Sequence, residues 1–181
     1  MIQRMQRVPM AQFEPALKKR LEELWGKPIN LHRALGNHPK LAEAYTEFSN
    51  TLRHGTRTPR ELRELVILRG AQLMGSEYEW AQHLKMARKA GVREDQIAAL
   101  ADWRASNLFT GVEKAALGLA EAVTQGRVTD EVYAEATRHF DHHDYVELSL
   151  VAAFYAMVAR MIDAMGVQLD PDLREHSPRL P

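Results

Sequence analysis

Cysteine is missing from the chain altogether, and that absence removes disulfide bonds and any chemistry that cycles a dithiol. Net charge is missing as well: 24 Lys and Arg balance 24 Asp and Glu, and the isoelectric point is near 7.1. A chain so balanced gives no electrostatic reason to expect nucleic acid or an anionic membrane as a partner. The uncharged stretch Leu148 to Ala159 is only twelve residues. A membrane helix needs about 20, so the stretch reads as part of a buried core helix. The opening Met-Ile-Gln-Arg-Met-Gln-Arg lacks the apolar segment of a secretory signal, which makes a cytoplasmic location the expectation. Sustained period-two alternation and Asn-Gly or Asp-Gly turns are absent too, and with them the signals for strands and hairpins.

What is present points to a folded helical protein. The 181 residues are 45% apolar and 27% charged, ordinary proportions for a globular domain, and a chain of this length hides roughly 70% of its unfolded surface. Helix stops and starts are dense. A first helix is expected from Glu14 to Trp25, with Leu17, Leu21 and Leu24 on one face and Gly26 and Pro28 ending it. A short turn follows Asn30, and a long helix runs from His38-Pro39 to Gly55. Thr58-Pro59-Arg60-Glu61 reads as a capping box opening a helix that Gly75 closes, and Ser76-Glu77-Tyr78-Glu79 as a second box opening one that Gly91 closes. Further helices are expected over Arg93 to Leu100, from Thr110 with Glu113 to Gln125, from near Thr129, and from near Asp144. The most apolar, Tyr145 to Met165, is expected at the centre of the core. The sum is an all-α, compact bundle of about seven or eight helices. It divides into an N-terminal helical extension over 1–27, a helical domain over 28–170 and a loose tail over 171–181.

One constellation carries chemistry. Ser76, Glu79 and His83 are three and four residues apart, which lines them along one stripe of a helix. Glu64 lies on the preceding helix and faces His83 if the two fold back on each other. A carboxylate beside an imidazole holds one tautomer and moves protons near neutral pH. The helix start at Ser76 also presents free N–H groups that favour anions. Plainer roles exist for several of these residues. Ser76 reads first as a cap, and Glu79 stays open between cap and site. Tyr78 and Trp80 suit core or interface packing, or the lining of a pocket. Arg69 is either a buried ion-pair partner or an anion clamp. His139, His142 and His143 with Asp141 and Asp144 have a spacing that suits zinc, but they sit in a helix connection where Asp144 and Glu147 read as a cap. A solvated loop without metal is the expectation there.

The strings Glu64-Leu-Val-Ile-Leu-Arg69, Gly75-Ser-Glu-Tyr-Glu-Trp-Ala-Gln-His83 and Ala90-Gly91 resemble the carboxymuconolactone decarboxylase and alkylhydroperoxidase-D superfamily. The similarity extends more loosely through His38-Pro39, Asp144 to Val158 and Ala164-Met165-Gly166-Val167, from about Pro28 to Asp170. The resemblance implies an alkylhydroperoxidase-D-like bundle assembling as trimers, hexamers or related rings, with the site near subunit contacts. The thiol peroxidases of the superfamily place a glutamate twelve residues before Cys-x-x-Cys-x-x-x-His. Glu64 and His83 take the glutamate and histidine positions here, while the cysteines fall on Ser76 and Glu79. A hydroxyl and a carboxylate form no disulfide, so dithiol peroxidase activity is not expected and the chain groups with a cysteine-free branch.

The expectation is therefore a cofactor-free acid/base enzyme, a decarboxylase-like lyase acting on a small organic acid or lactone. His83 would be general acid/base, Glu64 its orienting partner and Glu79 a second carboxylate, with Ser76, Tyr78, Trp80 and Arg69 available to bind substrate. Glu64 and His83 should touch, directly or through one water. The alternatives are a peroxidase-related stress protein lacking the dithiol, and a non-catalytic ligand-binding or assembly protein of the same fold. The expected partners are a small molecule and further copies of the chain. Tyr78, Trp80 and Tyr155 supply more aromatic surface than one small bundle obviously needs.

Overall fold

Local caps set most helix boundaries. The computed structural model describes residues 4–174 and 180. Among them are α1 (Pro15–Trp25), α2 (Asn30–Leu35), α3 (Pro39–His54), α4 (Arg60–Met74), α5 (Glu77–Ala90), α6 (Glu94–Ala99), α7 (Gly111–Gln125), α8 (Asp130–His139), α9 (His142–Met165) and α10 (Pro171–Arg174), with two 3-10 turns and no strand. Seven of these helices have ten residues or more, in keeping with the all-α bundle read from the sequence. Thr110 and Glu113 form the expected reciprocal box at the start of α7.

The chain forms two compact units, residues 4–56 with 161–174, and residues 57–160 with Leu180. This division differs from the segments 1–27, 28–170 and 171–181, because packing rather than chain order defines the units. In the first unit Leu17 and Leu21 of α1 bury with Phe13 and with Ala42 of α3, so α1 belongs to a core it shares with α3. Asp170 accepts a hydrogen bond from the Asn30 backbone N–H at 2.8 Å, which ties the end of the chain to α2. The loose tail begins as the helical turn Pro171–Arg174; residues 175–179 and 181 lie outside the described residues.

The second unit is organised around α4. Leu65, Leu68 and Ala71 of α4 pack with Trp80, Leu84 and Ala87 of α5 and with Leu117 of α7. Each fully buried leucine contributes about 1.5–3 kcal/mol. Nine α4 residues are buried, Arg63 and Glu64 among them. The expectation for α9 needs correcting here. Its Leu148, Val151, Ala152 and Val158 are buried, but Val146 is 53% exposed and Leu150 and Met157 are each 42% exposed. The helix with the longest unbroken buried run is α4, from Leu62 to Leu68. Two of its charged residues, Arg63 and Glu64, lie within that buried run, and Glu64 does so in contact with His83 and Arg60.

A second correction concerns the start of α4. Thr58 does not cap it: Pro59 is the N-cap residue and provides no side-chain bond. The carboxylate of Glu147 on α9 instead accepts the backbone N–H groups of Arg57 and Thr58, each at 2.9 Å to its nearer oxygen. Asp144 pairs with the Arg57 Nε at 2.6 Å, Asp141 also contacts Arg57, and Asp141 caps α9 by accepting from the Asp144 N–H at 3.0 Å. The acidic connection expected to be a solvated loop thus clamps the entry to α4.

Candidate active site

Gly75 places the site. It adopts φ +61°, a left-handed conformation that costs glycine little. The Gly75 N–H donates to the Gln72 carbonyl and the Ser76 N–H to the Ala71 carbonyl, at 3.1 and 2.9 Å. This pair of bonds closes α4 in a Schellman turn and sends α5 back along α4. The Ser76 hydroxyl then accepts from the Glu79 N–H at 3.4 Å, as a cap should. The reciprocal half of the box is not made: the Ser76 N–H is taken by Ala71, and the Glu79 carboxylate turns to His83.

Glu64, Glu79 and His83 are all buried, Glu64 completely. Glu64 Oε2 lies 2.8 Å from His83 Nδ1, and Glu64 Oε1 contacts the Arg60 guanidinium one turn earlier on α4. On the other side of the ring, Glu79 Oε2 is 3.6 Å from Nε2, beyond a normal hydrogen bond. That oxygen is buried without a hydrogen-bond partner. The Tyr155 ring of α9 meets the imidazole edge-to-face, centroids 4.6 Å apart and planes at 80°. The expected Glu64–His83 contact is therefore direct.

The two carboxyls diverge in electrostatics. Burial pushes Glu64 up, but His83 and Arg60 outweigh it and hold this group below the usual carboxylate range. Burial pushes Glu79 up to about 7; His83 opposes the rise and the Glu64 charge adds to it. An ionised Glu64 is an acceptor only, so Nδ1 carries the hydrogen of their bond. Near neutrality the site holds one committed carboxylate and one carboxyl poised to gain or lose a proton.

A pH dependence follows. In the unfolded chain Glu79 ionises near 4.5, and in the folded chain near 7. Between these values the folded state binds the extra proton, so the contribution of Glu79 to stability falls as pH rises through this window and levels off above it. Buried His32, held down to about 4, contributes the opposite slope to both proteins, so the stability difference between the wild type and Glu79→Gln, followed by thermal unfolding, should shift against the wild type as pH rises across that range. Parallel profiles would contradict it.

Of the other residues singled out in the sequence, Trp80 is core, and the buried Tyr78 hydroxyl accepts from Gln82 at 3.4 Å. For Arg69 the geometry realises the ion pair: Nε and a terminal nitrogen lie 2.7 and 2.6 Å from Glu121 Oε1, and another terminal nitrogen donates to Gln72 at 2.9 Å. Sequence reading missed Arg60 as a site residue, although its i, i+4 spacing to Glu64 was a usable signal. Tyr155 had no local signal, because only the packing of α9 brings it to His83. Elsewhere, His143, Asp144 and Glu147 place potential metal-ligand atoms within 4.8 Å of one another, but Arg57 and two backbone N–H groups already engage the carboxylates.

The all-α bundle that carries this pair is a fold that other proteins share. The chain belongs to the carboxymuconolactone decarboxylase family, whose model matches residues 39–122. It is 36% identical over 110 residues to the uncharacterized protein YdfG of Bacillus subtilis (strain 168), covering 59% of this chain and 75% of that protein. Among solved structures it is similar in fold to the debrominase Bmp8 in complex with 2,3,4-tribromopyrrole, with TM-score 0.79, 21% identity and coverage of 97% of this chain and 94% of that one. It is also similar to an alkylhydroperoxidase AhpD core, a peroxidase-related protein from Ralstonia eutropha JMP134, with TM-score 0.80, 16% identity and coverage of 96% and 95%.

Proposed function

We propose that this chain is a cofactor-free acid/base enzyme of the carboxymuconolactone decarboxylase type, acting on a small organic acid or lactone. The observation that carries this reading is the buried His83, hydrogen-bonded to Glu64 at 2.8 Å on one nitrogen and faced on the other by a carboxyl raised to about 7. In a decarboxylation the bond between the substrate carbon and its carboxylate breaks, carbon dioxide leaves, and the electron pair moves into the conjugated carbonyl. The enolate then takes a proton at carbon from the His83–Glu79 pair, and water restores that proton. The peroxidase-related likeness carries less weight, because Ser76 and Glu79 offer no sulfur for the dithiol step.

The test is a panel of small β-keto acids and carboxylated lactones in deuterated water, followed by NMR. Turnover that places deuterium on the carbon that lost carbon dioxide supports the proposal. A panel with no protein-dependent turnover counts against it.

We also propose that the protein works as a homo-oligomer. Tyr78, Trp80 and Tyr155 do not motivate this, since all three are buried within the chain. The support is the stripe Val146, Leu150, Ala153 and Met157, four exposed apolar residues at helical spacing on α9. Light scattering should give a mass well above 20.6 kDa, and Leu150→Glu should lower it. A monomer mass for the wild type across micromolar concentrations would refute this.

A further inference from the structure

Both nitrogens of His83 face a carboxyl group, at 2.8 Å for Glu64 and 3.6 Å for Glu79. A neutral imidazole between two acids has one N–H and one lone pair, and the direction of proton transfer depends on which side receives which. Beyond the closer approach of Glu64 to the ring, what distinguishes the two acids is Arg60. Its guanidinium contacts Glu64 Oε1, whereas the ion pair of Glu79 among the described residues is with His83 alone. We propose that Arg60 is the positioning residue that fixes His83 as the Nδ1–H tautomer, so that proton transfer is confined to the Nε2–Glu79 side. This inference rests on the acid/base reading of the same site.

The physical reason is the complete burial of Glu64. An enclosed carboxylate without a cation tends to take up a proton. A protonated Glu64 would donate to Nδ1, and the ring hydrogen would then move to Nε2. Facing Glu79, Nε2 would be a donor and could no longer accept the Glu79 proton. A hydrogen bond at one ring nitrogen sets the state of the other, and Arg60 acts one step behind that bond. Among the described residues, further charged and titratable groups near the pair include Arg63 on α4 and Tyr155 and Glu147 on α9. Burial and the Arg60 charge hold Arg63 below its ordinary value, against Glu147, Glu64 and Tyr155, and Glu147 is engaged by the Arg57 and Thr58 N–H groups. Arg60 is the cation in ion-pair contact with Glu64.

Long-range proton–nitrogen NMR at mildly alkaline pH reads this directly, with His83 assigned among the eight histidines by its absence in His83→Gln. In the wild type Nδ1 should be pyrrole-like and Nε2 pyridine-like. In Arg60→Gln the pattern should invert or average, and in Arg60→Lys, which keeps the charge, it should return to that of the wild type. Arg60 is the first residue of α4 and its side chain is partly exposed, so Arg60→Gln should fold. If it does not, the wild-type spectrum still decides, because a wild-type ring protonated at Nε2 overturns the proposal. A folded Arg60→Gln with the wild-type pattern also overturns it. The measurement needs no substrate, so a failed decarboxylation panel would refute the functional reading while leaving this result standing.

Discussion

Replacing His83 by Gln is expected to lower turnover by about 10²–10⁴-fold, the usual contribution of a positioned acid/base group, while helical content stays that of the wild type. The fold should survive because the Gln amide can donate to Glu64 in place of Nδ1–H, and Arg60 still contacts the other oxygen. The Glu64 carboxylate therefore stays buried with partners rather than orphaned. Circular dichroism and turnover on the substrate found by the panel check the two halves separately. A variant that unfolds would make His83 a packing residue. A folded variant with undiminished turnover would move the chemistry elsewhere.

Replacing Glu121 by Ala should destabilise the fold by about 3–5 kcal/mol, the scale for removing one partner of a buried ion pair. Glu121 accepts from Arg69 Nε at 2.7 Å, from Trp103 Nε1 at 2.9 Å and from Arg104 at 2.6 Å. Arg69 is only 14% exposed, so its charge would stay enclosed with Gln72 as its remaining hydrogen-bond partner. Arg104 is 60% exposed and would be solvated instead. Urea unfolding measures the loss. A change below about 1 kcal/mol would show that the pair behaves like a surface contact.

Much of the candidate site was legible because it depends on short-range spacing. Ser76, Glu79 and His83 share a stripe for the same reason that any i, i+3, i+7 set does, and Gly75 marked the turn because its conformation suits glycine. Arg69 shows where such reading stops. Its two open roles were chemically equivalent in the sequence, and the partner that decided between them lies 52 residues away. The same holds at Thr58, where a plausible local cap lost to a carboxylate 89 residues further along the chain.

The sequence by itself determined the all-helical class, most helix ends, and the exclusion of dithiol chemistry, because caps, apolar periodicity and residue inventory act within a turn or two of the chain. Only the tertiary structure decided that α4 holds the longest buried run and α9 is partly exposed, that Arg60 and Tyr155 join the site, and that Glu79 turns from the cap to His83. Those outcomes depend on which helices meet, and burial sets both the worth of each charge pair and the proton affinity of each carboxyl.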